Sequence, residues 1–218
     1  MPKDKQAKLE VVLFDWDGTL LNSYEADSSA YLAMFREMGI DWGLAKLAKH
    51  YSPNWYDVYR AAGLSRKRWN EADLVWRRYY ANQKPALMRG ALQVLEKLRR
   101  RHRLGLVTSG DRERITRQLQ EFRLTRLFPV RVCGGDTEQR KPHPEPLQLA
   151  LRCMKLHPSA CVYVGDSAED AQMAQEAGVR VVAILGPFPT EKRLRAAKPD
   201  FLLRSIRELP ETIKKLTR

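Results

Sequence analysis

Short apolar runs alternate with amphipathic segments along most of this chain, a pattern that is typical of parallel α/β proteins. The first run covers residues 9–14 and is followed by Asp15, Trp16, Asp17 and Gly18. Its stretch Val-Val-Leu-Phe shows no polar alternation, which predicts a strand buried on both faces. Further strands are predicted at residues 104–108, 130–133, 161–164, 180–184 and 201–203, and helices at 91–101, 112–122, 145–155, 168–177 and 209–216.

The interval between the first two strands is far longer than a crossover requires. It covers residues 15–103, whereas a complete βαβ unit needs only about 30 residues. Helical periodicity predicts helices at 24–38, 44–51, 55–62 and 65–82, the last of them capped by Ser65. We therefore predict an α-helical cap at residues 22–84, inserted into a Rossmann-like core of residues 1–21 and 85–218 with helices on both faces of its parallel sheet.

The bulk composition narrows the class of protein. A chain of 218 residues with 44% hydrophobic side chains can bury a core as one domain with an insertion. Lysine and arginine number 39 against 26 acidic residues, and the net charge of +13 favours anionic partners such as phosphorylated metabolites. No nucleic-acid-binding motif accompanies this charge, so nucleic acid is not the expected partner.

The cysteines and the apolar runs indicate a cellular location. Cys133, Cys153 and Cys161 have neither disulfide-framework nor zinc-site spacing, which predicts buried small residues in a reducing compartment. The N-terminal residues have no signal-type apolar core, and no apolar run approaches the length of a membrane span. We therefore predict a cytoplasmic protein without a membrane partner.

Polar residues with possible chemistry follow the first two predicted strands. Asp15 and Asp17 stand one residue apart, and carboxylates this close repel each other unless a cation or a substrate uses them. Thr108, Ser109 and Gly110 end the second strand, where hydroxyls and the N–H groups of a helix start could bind an anion. Taken alone, these three residues fit a simple helix cap better.

Two later strands are also followed by charged residues. Lys141 begins a Lys-Pro-His-Pro segment, and a lysine near several carboxylates would offset their repulsion. Asp166 and Ser167 begin a predicted helix in which one turn would bring Asp170 close to Asp166. Carboxylate oxygens suit Mg²⁺, although a solvated lysine and a capped helix start are the ordinary roles of such residues.

These four motifs, in this order and each at the carboxyl end of a strand, resemble the haloacid dehalogenase-like hydrolase superfamily. The helical insertion resembles its phosphoglycolate-phosphatase-like branch. The resemblance implies that the first core strand lies between the second and the fourth, so that Asp15 and Asp166 meet where the strand order reverses. By this resemblance, Asp15 is the nucleophile, Asp17 is the general acid and base, and Lys141 is a further catalytic group. The phosphate-binding residues that it implies are Gly18, Thr108, Ser109 and Gly110. The Mg²⁺ site that it implies consists of Asp15, the backbone carbonyl of Asp17, and Asp166, with Asp170 in support.

The function predicted on this basis is Mg²⁺-dependent hydrolysis of a small phosphorylated metabolite through an aspartyl-phosphate, which makes the protein a phosphoric monoester hydrolase. A dehalogenase would lack the second acid, whereas Asp17 is present. A phosphomutase of the same superfamily shares these motifs and stays open as an alternative. A basic, non-catalytic nucleic-acid-binding module would account for the charge of +13 but not for the motifs.

The identity of the substrate depends on the cap rather than on these motifs. Candidate contact residues, chosen by their location, are Tyr24, Lys49, Asn54, Trp55, Tyr56 and Arg89. Trp55 is the cap tryptophan expected to face the active site, and Trp42, Trp69 and Trp76 are expected in the cap core. The sequence is compatible with either a monomer or a homodimer.

Overall fold

A parallel sheet forms the centre of the protein, and two of the eight strands lie apart from it. The structure, a computed structural model, describes residues 8–216. Within this range the strands are β1 (Val11–Phe14), β2 (Leu21–Asn22), β3 (Ala86–Leu87), β4 (Arg103–Asp111), β5 (Val130–Gly134), β6 (Cys161–Gly165), β7 (Arg180–Ile184) and β8 (Phe201–Leu203).

The sheet order places β1 at the point where the direction of chain progression reverses. Six strands pair in the order β5-β4-β1-β6-β7-β8, and every pair is parallel. In the register, Val11 lies opposite Arg103 of β4 and Cys161 of β6. Ligands of open α/β sheets bind beyond the carboxyl ends of the strands at such a reversal. The predicted neighbours of the first strand are confirmed.

Helices cover both faces of the sheet. Ten α-helices occur among residues 8–216: α1 (Tyr24–Glu37), α2 (Leu44–His50), α3 (Trp55–Ala61), α4 (Trp69–Tyr80), α5 (Ala91–Leu98), α6 (Arg112–Glu121), α7 (Glu145–Met154), α8 (Ala168–Glu176), α9 (Glu191–Ala196) and α10 (Leu209–Leu216). Buried residues of α5, α6 and α10 pack on one face, and those of α7, α8 and α9 pack on the other. This arrangement confirms the predicted α/β fold class. None of these helices has the length and apolar character needed to cross a membrane.

Helices α1–α4 form a layer with a hydrophobic cluster of its own. Tyr31, Phe35, Trp42 and Tyr59 are among its buried members. The antiparallel pair of β2 and β3 lies where the chain leaves the sheet region for this layer and returns from it. We call this layer the cap, and its bounds at residues 22–84 stay a prediction.

Several local elements differ from the sequence-based prediction. Strand β4 continues beyond Thr108 to Asp111 because Asp111 still pairs with Gly134 of β5 after a register shift. A 3-10 turn at Arg66–Arg68 precedes α4, and the Ser65 side chain makes no capping hydrogen bond. The sequence analysis missed α9, β2 and β3, which are too short to carry a periodic signal.

The buried face of β1 yields a stability prediction. Phe14 is fully buried, and its ring centroid lies 6.4 Å from that of Phe128. We expect Phe14→Ala to lower the free energy of unfolding by about 3–5 kcal/mol, because it leaves a cavity in a packed core. Leu92→Ala on α5, where the side chain is 45% exposed, should change it by less than about 0.5 kcal/mol. Urea denaturation measures both, and equal losses would contradict this account of the core.

Candidate active site

The predicted site residues converge at the carboxyl ends of β1, β4 and β6. Asp15 directly follows β1, Thr108 lies near the end of β4, and Asp166 directly follows β6. Together with Asp17 and Lys141, they line one cavity between the sheet and the cap. Residues that are far apart in the sequence therefore share a single polar site, as the strand order requires.

Lys141 is the buried cation of this site. Its side chain is 3% exposed, and its Nζ lies 2.8 Å from Oδ1 of Asp15 and 2.7 Å from Oδ1 of Asp170. It also donates a hydrogen bond to the hydroxyl of Tyr163 at 2.7 Å. Burial opposes the lysine charge, but the two carboxylates outweigh it and raise the pKa of Lys141 above its ordinary value. Lys141 is therefore held as an ammonium ion between two acids.

Asp170 is fixed by the turn between β6 and α8. Its Oδ2 accepts hydrogen bonds from the backbone N–H groups of Asp166 and Ser167 and from the Ser167 hydroxyl at 2.6 Å. Ser167 in turn caps α8. Burial alone would raise the pKa of Asp170, but Lys141 and these hydrogen bonds lower it. Because both oxygens are already engaged, Asp170 is better suited to orienting its neighbours than to binding a ligand directly.

The carboxylate of Asp166 has few partners by comparison. Among residues 8–216, its oxygens accept one side-chain hydrogen bond, from Thr19 Oγ1 at 3.3 Å. Burial and the charges of Asp170 and Asp15 raise the pKa of Asp166 well above its usual range. Oxygens of Asp15, Asp166 and Asp170 lie within 4.8 Å of one another. A compact set of carboxylate oxygens fits a hard divalent cation such as Mg²⁺.

Two glycines keep space beside Asp166. Gly18 has a φ of +79°, and a Cβ there would lie 2.1 Å from Asp166 Oδ2. A Cβ at Gly186 would lie 2.5 Å from the same oxygen. A side chain at either position would fill the space around Asp166 Oδ2, so the residues present leave room for a cation. Gly18, predicted as a phosphate-binding residue, thus also lies next to the acidic cluster.

Asp17 points away from this cluster toward Arg114 of α6. Both of its oxygens accept hydrogen bonds from the guanidinium group, at 3.0 and 2.7 Å. Burial would raise the pKa of Asp17, but the Arg114 charge and hydrogen bonds lower it. The carboxylate of Asp17 is therefore not brought together with those of the cluster. Only its backbone carbonyl, the atom that the resemblance implies, is left as a metal ligand.

The predicted phosphate-binding residues on β4 all line the cavity. Thr108 is buried, and its Oγ1 accepts a hydrogen bond from the Gly110 N–H at 3.1 Å. Since β4 continues to Asp111, these residues precede the helix rather than form its start. Asp111 itself caps α6 by accepting from the Arg114 N–H. An anion here would meet the hydroxyls of Thr108 and Ser109 and the strand-end backbone, not a free helix N-terminus.

The cap supplies the upper wall of the cavity. Of the six cap candidates chosen from the sequence, Trp55 lines it and the other five lie outside its lining. Trp76, which the sequence analysis placed in the cap core, lines it as well. The aromatic residues and acids that the cap contributes are Tyr31, Tyr51, Trp55, Tyr59, Trp76, Asp27 and Asp73.

Contacts on several sides hold the cap against the sheet region. Arg193 of α9 donates to the backbone carbonyl of Tyr51 at 2.7 Å. The Tyr51 ring stacks on Phe188 with a centroid distance of 4.6 Å. The guanidinium of Arg140 lies 4.2 Å from the centroid of the Trp55 ring. The cavity is therefore covered by the cap in this conformation.

Arg114 is one of the site residues that were not predicted from the sequence; Tyr163 and the tyrosines and acids of the cap wall are others. Arg114 lies within the polar stretch Arg-Glu-Arg, where the ordinary expectation is a solvated helix face. In the structure its side chain is 9% exposed and lies against the rings of Trp76 and Tyr80 in the cap. The sequence feature that could have identified it is its position in the first turn of α6, the helix that follows the strand carrying Thr108 and Ser109.

Known proteins resemble this chain over most of its length. Residues 12–184 match the family described as haloacid dehalogenase-like hydrolase. The chain is 28% identical over 216 residues to the pyrophosphatase PpaX of Bacillus cereus strain B4264, covering 97% of this chain and 99% of that protein.

Solved structures share the fold. A predicted phosphoglycolate phosphatase from Haemophilus somnus has a TM-score of 0.84 and 20% identity, with 94% of this chain and 98% of that chain covered. CbbY from Rhodobacter sphaeroides, in complex with phosphate, has a TM-score of 0.80 and 23% identity, with 92% and 96% covered.

Removal of the buried ammonium should destabilise the fold. We expect Lys141→Met to lower the free energy of unfolding by about 3–5 kcal/mol in metal-free buffer at neutral pH, because it leaves buried carboxylates unpaired. Burial already raises the pKa of Asp15 to about 7, and loss of the ammonium raises it further. The folded variant thus binds protons more readily than the unfolded chain. The decrease in the free energy of unfolding caused by Lys141→Met should therefore grow as the pH rises and shrink as the pH falls toward 5.

Urea denaturation between pH 5 and pH 8 measures this effect. Lys192→Met, which changes an exposed lysine on α9, is the matched control and should have almost no effect at either pH. A loss at Lys141 that does not depend on pH would contradict the electrostatic explanation.

Proposed function

Because the chain belongs to the haloacid dehalogenase-like hydrolase family, we propose that it is a Mg²⁺-dependent phosphatase of a small phosphorylated metabolite. The observation that carries the proposal is the convergence of Asp15, Lys141, Asp166 and Thr108 in one covered cavity. The name of the relative PpaX, a pyrophosphatase, and the phosphate bound to CbbY support phosphoryl chemistry. The reaction is hydrolysis of a phosphoric monoester.

Asp15 acts as the nucleophile. One of its carboxylate oxygens attacks phosphorus, and the bond between phosphorus and the leaving oxygen breaks, which gives an aspartyl-phosphate and an alcohol. Water then attacks the phosphorus of the aspartyl-phosphate and releases inorganic phosphate. The hydrogen bond from Lys141 to Asp15 Oδ1 fixes the orientation of the nucleophile and leaves Oδ2 to face the substrate.

Asp17 moves the protons. It protonates the leaving oxygen in the first half-reaction and takes a proton from the attacking water in the second. The ionised form paired with Arg114 is the form that accepts a proton. Proton donation requires this pair to loosen and Asp17 to hold a proton, which the attacking water of the preceding turnover supplies.

Asp15, Asp166 and the backbone carbonyl of Asp17 would hold Mg²⁺, with Asp170 supporting them through the turn that it fixes. When bound, the ion neutralises charge on the phosphoryl oxygens. The hydroxyls of Thr108 and Ser109, with the backbone at Gly110 and Gly18, would bind the same oxygens. The Lys141 ammonium adds positive charge at this point.

The cap, with proposed bounds at residues 22–84, excludes bulk water from the cavity and contacts the leaving group. Cys133 and Cys161 are buried free thiols as predicted, whereas the free thiol of Cys153 is exposed and that part of the prediction is wrong. Three free thiols support the predicted cytoplasmic location. Whether the active form is a monomer or a homodimer does not enter the mechanism, because every proposed catalytic residue lies on one chain.

The nucleophile assignment gives a direct test of the function. We expect the protein to release inorganic phosphate from p-nitrophenyl phosphate, and Asp15→Asn to lower kcat by about three orders of magnitude, because an amide oxygen is a poor nucleophile. Circular dichroism should show that the variant is folded. Asp41→Asn, an exposed position in the cap, is the matched control. Isomerisation of a hexose phosphate without phosphate release would instead establish the phosphomutase alternative.

The metal assignment gives a second test. We expect EDTA to reduce turnover to background and Mg²⁺ to restore it. Ca²⁺ should restore much less, because it prefers more ligands at longer distances and would disturb the alignment of Asp15. Initial rates with each ion added back after dialysis measure this dependence. Full activity in the presence of chelator would refute the metal site.

A further inference from the structure

The cavity extends beyond the acidic cluster into the cap. Its lining joins the acidic cluster to residues of the cap, so a substrate whose phosphoryl group lies at the cluster would direct its leaving group toward the cap. The upper wall of the cavity is here called the roof and is formed by Tyr31, Tyr51, Trp55, Tyr59, Trp76, Asp27 and Asp73. The chemistry of the roof selects the leaving group.

Aromatic rings make up most of the roof. The Tyr31 ring centroid lies 6.0 Å from that of Trp76 and 6.5 Å from that of Tyr59. Tyr51 continues this wall and stacks on Phe188. The faces of such rings carry negative electrostatic potential and attract cations. Arg140 already lies over Trp55 and Arg114 over Trp76, so the tyrosine rings of the roof are the ones left to meet a bound cation.

Asp27 of α1 adds a carboxyl group without a partner. It lines the cavity, and no residue between 8 and 216 donates a hydrogen bond to its side chain. Burial, with the nearby charge of Asp17, raises its pKa to about 8. The side chain is partly buried and opens on the cavity, so its oxygens are free to accept hydrogen bonds from a ligand there. A donor on a bound ligand would satisfy it.

Asp73 of α4 is the second acid of the roof. Its Oδ1 accepts a hydrogen bond from the Tyr59 hydroxyl at 2.9 Å, which fixes the carboxyl against the aromatic wall. Burial raises its pKa as well. Two acids thus lie among the rings, on helices that pack against each other through Tyr31 and Trp76.

The cations that line the cavity are already paired with acids. Lys141 contacts Asp15, and Arg114 holds both oxygens of Asp17. The third, Arg77, is half exposed and lies 4.0 Å from Asp111 Oδ1. A second anionic group on the substrate would therefore meet two acids in the roof and no unpaired cation among the described lining residues.

We propose that the substrate is the phosphate ester of an amino alcohol, whose ammonium group lies among the aromatic rings and donates hydrogen bonds to Asp27 and Asp73. This inference rests on the phosphatase function proposed above and specifies its substrate class. Only the bond between phosphorus and the leaving oxygen breaks, and the amine keeps its proton and leaves with the alcohol. The charged hydrogen bonds and the ring faces act together on one group.

Matched phosphate esters test the proposal. At two and three carbons, aminoalkyl phosphates are compared with the neutral ethyl and propyl phosphates and with the carboxylates phosphoglycolate and 3-phosphonooxypropionate. We expect kcat/KM for the aminoalkyl esters to exceed that of the neutral esters by about tenfold, and that of the carboxylates by more. A kcat/KM for phosphoglycolate, pyrophosphate or the neutral esters that equals or exceeds that of the amines overturns the proposal.

Variants in the roof test which residues are responsible. Asp27→Asn and Asp73→Asn keep the shape of the side chain but cannot form the carboxylate that a bound ammonium group would stabilise, so the preference for the amine over the neutral ester should fall toward one. Asp41→Asn, which is exposed and outside the cavity, should leave that preference unchanged. A preference that survives in both roof variants overturns the assignment of these two acids.

Two further readouts separate this inference from the function on which it rests. Turnover of p-nitrophenyl phosphate without a preference for amines leaves the phosphatase in place and overturns the substrate class. If no ester is hydrolysed, the phosphatase proposal fails. The preference of the roof for an ammonium group can then still be tested by calorimetry, which measures binding of 2-aminoethyl phosphate and of phosphoglycolate to Asp15→Asn. Tighter binding of phosphoglycolate overturns the proposed preference.

Discussion

Three buried carboxylates, those of Asp15, Asp166 and Asp170, lie within 4.8 Å of one another, and their mutual repulsion is the constraint on which the site depends. Lys141 offsets part of it by contacting two of them. The backbone and hydroxyl donors at Ser167 stabilise the charge of Asp170. Asp166 has no such partner, and its pKa is raised well above the usual range because its charge is not offset, so a divalent cation would be most favourable there. The sheet makes this arrangement possible because β1 and β6 are neighbours and end at the same level.

The charge of the whole chain is a poor guide to the charge of this cavity. The formal net charge is +13, yet six aspartates and three cations line the cavity. The excess lysine and arginine residues lie elsewhere on the protein. Recognition inside the cavity is therefore governed by local acids and aromatic rings, and the global charge bears on long-range attraction of anions rather than on the fit of a leaving group.

The sequence was informative wherever a local pattern decides the outcome. Continuous apolar runs predicted β1, β6 and β7. The motifs predicted that the acids directly after β1 and β6 belong to one site. The residues that it missed depend on contacts between distant parts of the chain. Arg114 is buried because Asp17, 97 positions earlier, and the cap rings surround it, and β4 is long because Gly134 extends its pairing. The bounds of the cap and the catalytic roles stay predictions, since they concern motion and reaction rather than packing.

Arg114 connects Asp17, at the end of the first strand, with the cap. One guanidinium group holds Asp17 and lies 4.9 Å from the ring centroid of Tyr80, and Gln118 on the same helix hydrogen-bonds to both Trp16 and Tyr80. The cap is consequently not an interchangeable module. A chimera that received the cap of a relative would also change the surroundings of Asp17, unless helix α6 were transplanted with it. Sequence changes in helix α6 and in the cap are therefore coupled, because a change in one alters the packing of the other around Arg114.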